Sequence, residues 1–440
     1  MPSLVLAFLL FVTNQATTTQ VDASSKARAV VAALTSGDFA AIEAQFTDQM
    51  KAALPPGRLA ASWATLVTQV GAFKVCTSQR PVRAIADKQM VITPCEFERA
   101  KIDLQVAFDS NGRISGLALR PAAAPAEPYT PPSYVNASTF KEEELTIGSS
   151  EWPLPATLTM PVGPGPFPVV ILVHGSGPND RDETIGPNRP FKDLALGLAS
   201  RGIAVLRYDK RTKVHGTKTA ALTSLTVKDE VVDDVGEAIK SVRANARIDP
   251  ARVFVLGHSL GGMLIPRIAA ANPSIAGVVV MAGAARPLEQ AIVEQTRYIA
   301  NADGTISPQE QEQIDTSAKH AEAIKALTAA DAAAGKMVMG APASYWLDLR
   351  GYDPPAAAAA LKTRMLVLQG ERDYQVTMEE FARWKAALGT RPDVTWRSYP
   401  ALNHLFIAGS GPITPAEYSV PGAVAEEVVR DIADYVLARH

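Results

Sequence analysis

The segment Gly257-His258-Ser259-Leu260-Gly261 has the G-x-S-x-G spacing of a serine set at the apex of a sharp strand-to-helix turn. The apolar run Val253–Leu256 precedes it and Gly262-Met263-Leu264-Ile265 follows, so a strand should enter the turn and a helix should leave it. Flanking glycines let so tight a turn close without side-chain collisions, and the helix N-terminus beneath Ser259 favours negative charge. A serine hydroxyl needs a base to become a nucleophile. The chain has six histidines, and their settings separate them. His258 lies inside the turn and points elsewhere, and His174 ends an earlier apolar run. His215 sits in a polar loop after Arg211, His320 in a helical insertion, and His440 is the last residue. His404, in Leu402-Asn403-His404-Leu405-Phe406 just after the last strand-like run, is the candidate base.

An imidazole base needs an orienting carboxylate. The loop Gln369-Gly370-Glu371-Arg372-Asp373 follows the run Met365–Leu368, and Asp373 is the candidate, with Glu371 as runner-up. The other position open to an acid, after Met281, reads Ala282-Gly283-Ala284-Ala285. Acyl transfer further requires fixed donors for an oxyanion. The Leu260 amide, just after the serine, is one. The glycine-rich turn His174-Gly175-Ser176-Gly177-Pro178 should supply the second, from Ser176 first and Gly175 next.

These residues need a scaffold with several loops at one end of a sheet. From Pro168 onward, short unbroken apolar runs alternate with amphipathic helices: Val169–Val173, Ile203–Leu206, Val253–Leu256, Ala276–Met281 and Met365–Leu368. Such runs read as strands buried on both faces of a parallel sheet. Val227, Val231, Val235, Ala238, Ile239 and Val242 mark one helix face between them. A last strand is expected at Val394–Ser398 and a last helix at Val424–Leu437. The fold class is therefore α/β, with a doubly wound, mostly parallel sheet over residues 138–440. Lys141–Ile147 and Ala156–Met160 should open it as an antiparallel pair. Residues 287–360 interrupt the rhythm with an Ala- and Gln-rich helical pattern that suits a cap over the strands' C-terminal ends. Within it, the stretch from Asn301 to Ile306 has an acidic-loop look. A calcium loop would put Ile299 at its first ligand, so it reads as a turn, followed by a capping box at Ser307-Pro308-Gln309-Glu310.

Residues 24–120 form a separate α+β module, with helices at 27–34, 39–46 and 57–70 and strands at 71–77, 89–98, 101–109 and 114–119. Asp109-Ser110-Asn111-Gly112 supplies a hairpin turn. Cys76 and Cys95 are the two cysteines. They lie about equidistant from a turn near Ala84–Lys88, so a hairpin would bring them face to face as a disulfide; two free thiols are the alternative. A Pro- and Ala-rich linker covers 121–137. Leu4–Val12 is too short to span a bilayer and matches the apolar part of a signal peptide, giving residues 1–23 as a leader. Cleavage at Val21-Asp22-Ala23 or near Ala16 would fit, no basic residue precedes the run, and a buried N-terminal helix is the other reading. Export to the periplasm or medium is expected, with the cytoplasm as alternative.

The segments His174 to Asp182, Arg207-Tyr208-Asp209-Lys210-Arg211, the elbow at Ser259 and Gln369 to Asp373 together resemble bacterial esterases of the dienelactone-hydrolase-like group. The order Ser259, Asp373, His404 is that of α/β hydrolases. The leading module resembles small cone-shaped domains of the nuclear transport factor 2-like superfamily, found ahead of such hydrolases. The resemblance covers about residues 22–438 and implies carboxylesterase activity on small acyl esters without a cofactor or metal. Dienelactone hydrolases proper use cysteine where this chain has Ser259, which favours ordinary esters. The charged segments Asp180–Glu183 and Asp209–Arg211 read as loop-fixing ion pairs rather than as substrate contacts. A net charge of −2 gives no reason to expect nucleic acid or an anionic membrane surface; homo-oligomerisation is left open. Two other functions share these motifs. A prolyl-oligopeptidase-type peptidase would carry a β-propeller ahead of the hydrolase domain, for which residues 24–120 are too few. A non-catalytic binding protein would not need a complete triad.

Overall fold

The computed structural model describes residues 22–80, 83–85, 88–121 and 129–438. The leader assigned to residues 1–23 lies outside them except for its last two residues. Asp22 caps the first helix, α1 (Ala23–Ser36), by accepting a hydrogen bond from the Ser25 amide. The chain separates into two units, Met1–Glu127 and Pro128–His440.

In the first unit α2 (Phe39–Glu43), α3 (Asp48–Ala53) and α4 (Arg58–Val70) follow α1. The short α3 interrupts a stretch that carries no clear apolar period. An antiparallel sheet is built from β1 (Phe73–Cys76), β2 (Arg83–Ile85), β3 (Lys88–Phe97), β4 (Lys101–Phe108) and β5 (Ile114–Pro121). The β1–β3 register sets Cys76 opposite Cys95, and the two are joined as a disulfide. Strand β2 occupies part of the segment expected to be only a turn, because the hairpin continues past the disulfide with Ile85 opposite Lys88. Val30, Leu34, Phe46, Val91, Leu104 and Phe108 belong to this unit's own core.

The second unit begins with residues 129–137, which lie against the hydrolase body instead of spacing it. The Tyr129 hydroxyl donates to Asp193 at 2.8 Å, and the Tyr134 hydroxyl donates to the Val424 carbonyl at 2.8 Å. An eight-stranded sheet follows. The antiparallel pair β6 (Phe140–Ile147) and β7 (Leu154–Pro161) leads into β8 (Phe167–Val173), α5 (Pro190–Ala199) and β9 (Ala204–Tyr208). Two short helices, α6 (Arg211–Val214) and α7 (Gly216–Ala220), precede a π-helical turn at Lys228–Val232 that runs directly into α8 (Asp233–Arg243). The apolar face read from Val227 to Val242 is buried as expected, although the π turn changes its period at the start. Then come β10 (Ile248–His258), α9 (Leu260–Ala271) and β11 (Gly277–Met281).

The insertion after β11 holds α10 (Leu288–Ala300), α11 (Pro308–Lys325), α12 (Ala329–Ala333), the hairpin β12 (Met337–Val338) with β13 (Ala341–Pro342), α13 (Ala343–Leu349) and α14 (Pro354–Ala359). Helix α11 starts from the Ser307–Glu310 capping box. The sheet resumes with β14 (Met365–Gly370), α15 (Met378–Leu388), β15 (Val394–Tyr399) and α16 (Glu426–Leu437). Strand order is β6-β7-β9-β8-β10-β11-β14-β15, parallel from β9 to β15. Strands β8, β9, β11 and β14 are buried almost throughout, and β10 from Val253 onward, as unbroken apolar runs require when helices cover both faces. Strand β10, which carries the elbow, is therefore interior, and β8, β11 and β14 end around it.

Candidate active site

Ser259 stands between β10 and α9 with φ 54° and ψ −115°, a left-handed conformation that an L-residue adopts only under constraint. Its amide donates to the Met281 carbonyl at 3.0 Å, and its carbonyl accepts from Met263 at 2.9 Å. The glycines around it answer to contacts already in place. A Cβ on Gly257 would lie 2.2 Å from the Gly261 carbonyl oxygen, and one on Gly261 would lie 2.4 Å from that of Val173. The elbow thus closes against the end of β8 at distances that no side chain tolerates.

The loop after β14 presents Asp373, which is buried. Its Oδ1 accepts the amides of Gln375 and Val376 at 2.8 and 2.9 Å, and its Oδ2 accepts from the Gln369 side-chain amide at 3.2 Å. The remaining bond goes to His404, whose Nδ1 lies 2.6 Å from Asp373 Oδ2. That contact assigns the Nδ1 proton to the carboxylate side and leaves Nε2 as the free basic nitrogen. His404 sits in a tight loop shaped by Asn403, whose Oδ1 accepts the amides of Leu405 and Ile407. The acid and base loops touch through backbone: a Cβ on Gly370 would lie 2.4 Å from the Leu402 carbonyl oxygen. Glu371, the runner-up acid, bonds Ser398 and stays out of this network.

The turn after β8 departs from expectation at one residue. The Gly175 amide is not a free donor. It donates to Glu183 Oε1 at 2.7 Å, while its carbonyl accepts from Lys210 Nζ at 2.9 Å. Gly175 therefore acts as the fixed joint of this loop, with room for no Cβ beyond 3.1 Å from that of Ser259. Ser176, together with Leu260, retains the position of candidate oxyanion donor. The charged segments are loop-fixing, as read from the sequence. Arg181 pairs with Asp209 and Glu144, Arg207 with Asp182 and Glu142, Lys210 with Glu230, and Arg211 with Asp234.

Three residues beside the site carry parts that their sequence setting did not disclose. Glu183, buried and at φ 50°, faces His258 Nδ1 at 3.0 Å through Oε2. His258 Nε2 lies 2.9 Å from the His404 carbonyl oxygen, which agrees with its not being the base. Burial alone would lower the His258 pKa, but the Glu183 carboxylate and the His404 carbonyl raise it overall. Burial works upward on Glu183, and His258 more than offsets it, so this carboxyl titrates below its ordinary value. His174 is pulled down to about 4, chiefly by burial, and its ring packs against Phe191 and Tyr208. The only hint in the sequence was that His174 and His258 sit within the glycine-rich and elbow motifs, and Glu183 in the charged segment that follows the first.

The insertion is tied to the acid loop and the helix after it. Arg286 bridges Glu294 of α10 to Glu379 and Glu380 of α15, and Tyr298 of α10 stacks on Tyr374, with centroids 5.1 Å apart. Tyr374 stacks in turn on Tyr418 at 6.0 Å. Among the described residues no cluster of His, Cys, Asp and Glu has metal-binding geometry, and no helix is long and apolar enough to cross a membrane.

A nucleophile elbow on an interior parallel strand, with an acid and a histidine on the loops after the last two strands, defines the serine hydrolases of the α/β-hydrolase fold. Residues 166–409 match the family model described as serine aminopeptidase, S33, and the chain belongs to that family of α/β hydrolases. Residues 27–117 match a family described only as a protein of unknown function; its helices and antiparallel sheet are compatible with a nuclear transport factor 2-like domain. The chain is 38% identical over 404 residues to Esterase EstD of Thermotoga maritima, spanning 92% of this chain and 93% of that one. Among solved structures, an esterase of Pyrococcus furiosus is 16% identical over 68% of this chain and 90% of its own, with a TM-score of 0.42. A puromycin-hydrolysing peptidase of Mycobacterium tuberculosis is 16% identical over 83% of this chain and 48% of its own, with a TM-score of 0.41. At that level neither structure bears on the substrate.

Proposed function

We propose that this chain is a serine carboxylesterase that cleaves small acyl esters in two steps through an acyl-enzyme. The observation that carries the reading is the 2.6 Å bond between His404 Nδ1 and Asp373, made by loops on the strands beyond the strained Ser259. In the first step His404 Nε2 takes the proton from Ser259 Oγ as Oγ attacks the ester carbonyl. The Leu260 and Ser176 amides hold the oxyanion. The carbonyl re-forms, the C–O bond to the alcohol breaks, and His404 returns the proton to the departing alkoxide. In the second step a water, deprotonated by His404, attacks the acyl carbonyl. Its collapse releases the carboxylic acid and restores the Ser259 hydroxyl. Identity to an esterase over nearly the full length favours esters. The family description favours the competing reading, an aminopeptidase.

The test is Ser259→Ala assayed on p-nitrophenyl acetate beside the wild type. Loss of turnover with an unchanged melting temperature is expected, and retained turnover refutes the nucleophile assignment. Equal rates on aminoacyl p-nitroanilides and matched esters would move the reading to the peptidase. Export is part of the proposal. Processing near Ala16 would keep Asp22 as the cap of α1, whereas cleavage after Ala23 would remove it. N-terminal sequencing of the protein recovered from the periplasm or medium decides between them, and recovery of the full-length chain from the cytoplasm alone overturns the export.

A further inference from the structure

Glu183, through His258, connects both halves of the site by way of residues far apart in sequence. Its Oε1 accepts the Gly175 amide, and its Oε2 faces His258, whose other ring nitrogen lies on the carbonyl of His404. Gly175 belongs to the loop of the candidate oxyanion donor, and His404 is the candidate base. The chain of contacts at 2.7, 3.0 and 2.9 Å therefore links the two groups that an acyl-transfer site must hold in register. We infer that the buried Glu183–His258 pair is a positioning device that locks the oxyanion loop to the base loop across the elbow.

The chemistry of the pair fits that role. His258 Nε2 lies on the His404 carbonyl, while its Nδ1 and Glu183 Oε2 approach to 3.0 Å as an ion pair outside hydrogen-bond geometry, so the ring is drawn to both oxygens only when it carries two N–H groups. A doubly protonated imidazole beside a carboxylate is an ion pair, and both side chains are almost fully buried. Such a pair is costly to assemble, and removing one member leaves an uncompensated buried charge. The backbone around it is constrained to match. Glu183 takes a positive φ of 50°, and a Cβ on Gly175 would meet both Ser259 Cβ at 3.1 Å and Glu183 Oε1 at 3.3 Å. The other face of Gly175 is held by Lys210, itself paired with Glu230. The loop is thus gripped at its amide and at its carbonyl by opposite charges. Removing either member of the Glu183–His258 pair should let the Gly175–Ser176 turn and the His404 loop move independently. Ground-state binding would be little changed.

The inference rests on the acyl-transfer reading, and the test keeps the two apart. On p-nitrophenyl acetate, Glu183→Ala and His258→Ala should each lower kcat by about 10²-fold with KM within about threefold, the scale expected of an ångström-sized misplacement. The double variant should fall no more than about threefold below the worse single one, because one device is lost only once. Glu183→Gln can still accept from Gly175 and donate to a neutral His258, and should recover to within about tenfold of wild type. Should an alanine variant fail to fold, Glu183→Asp supplies the test. Its carboxylate, one methylene shorter, cannot span both partners, and an about tenfold loss of kcat at unchanged KM is expected. The inference is overturned by single variants with wild-type kcat, by losses that multiply in the double variant, by a loss confined to KM, or by Glu183→Asp at wild-type kcat. Ser259→Ala runs alongside: its activity would sink the acyl-transfer reading itself, whereas an inactive Ser259→Ala beside unimpaired Glu183 variants sinks only the positioning role.

Discussion

Replacing Asp373 with Asn changes one atom and should reverse the polarity of the site. Four N–H groups converge on this carboxylate: the amides of Gln375 and Val376 on Oδ1, and the side-chain amide of Gln369 and the His404 ring on Oδ2. An asparagine keeps its oxygen where two backbone amides demand it, so its NH2 takes the place of Oδ2. There it meets His404 Nδ1 as a donor. The imidazole must then accept at Nδ1 and carry its proton on Nε2, the nitrogen that should take the Ser259 proton. The same NH2 also confronts the Gln369 amide donor-to-donor. A wrong-tautomer base of this kind lowers kcat by roughly 10⁴-fold, about 5 kcal/mol at 1.36 kcal/mol per decade. Stability should move little, because the change removes a buried charge while keeping the two backbone bonds. The assay is steady-state hydrolysis of p-nitrophenyl acetate across pH 6–9 with a thermal melt of each protein. Activity within tenfold of wild type, in a variant that melts normally, would refute the assignment of Asp373 as the orienting acid.

Three further outcomes are expected. Gly370→Ala drives a methyl to within 2.4 Å of the Leu402 carbonyl oxygen. It should destabilise the second unit by about 3 kcal/mol and lower kcat by forcing the acid and base loops apart, read by urea denaturation and ester turnover. Replacing Cys76 and Cys95 with serine opens a cross-link between residues 19 apart. It should cost the first unit about 3 kcal/mol in the same denaturation experiment while leaving ester turnover by the second unit unchanged. His174, held near a pKa of about 4 against an ordinary 6.5, favours the folded state only while neutral. Its contribution is present above pH 6.5 and is lost as pH falls toward 4, up to about 3 kcal/mol. Burial raises Asp193 and Asp234 to about 6, so their linkage has the opposite sign and is lost as pH rises through that value. The His174 part is therefore isolated by denaturing wild type and His174→Phe at pH 7 and pH 4. Parallel pH dependence of the two would refute it.

Much of the architecture was legible because it follows from local rules. Unbroken apolar runs announced the buried parallel strands, and Ser307 with Glu310 announced the start of α11. The register of Cys76 and Cys95 followed from their spacing about a turn. Strand β2, helix α3 and the π turn at Lys228–Val232 were not legible. The first is three residues long, the second carries no amphipathic period, and the third alters hydrogen bonding without altering composition. The linker was legible as Pro- and Ala-rich, but not that Tyr129 and Tyr134 would bind Asp193 and the Val424 carbonyl, since both partners lie far along the chain.

The site divides in the same way. The strained serine is determined within a few residues, since Gly257 and Gly261 stand at contacts of 2.2 and 2.4 Å that exclude any other residue. Asp373 and His404 could be chosen by elimination, because few acids and histidines follow strands. That the Gly175 amide of the glycine-rich turn is already taken was decided only by the tertiary structure, where Glu183 accepts it. His258 looked idle inside the elbow and proves to reach a carbonyl 146 residues away. Steric exclusion acts between neighbours and can be read from spacing. The pairing of buried polar groups depends on which distant loops the sheet brings within 3 Å, and the order of residues does not carry that distance.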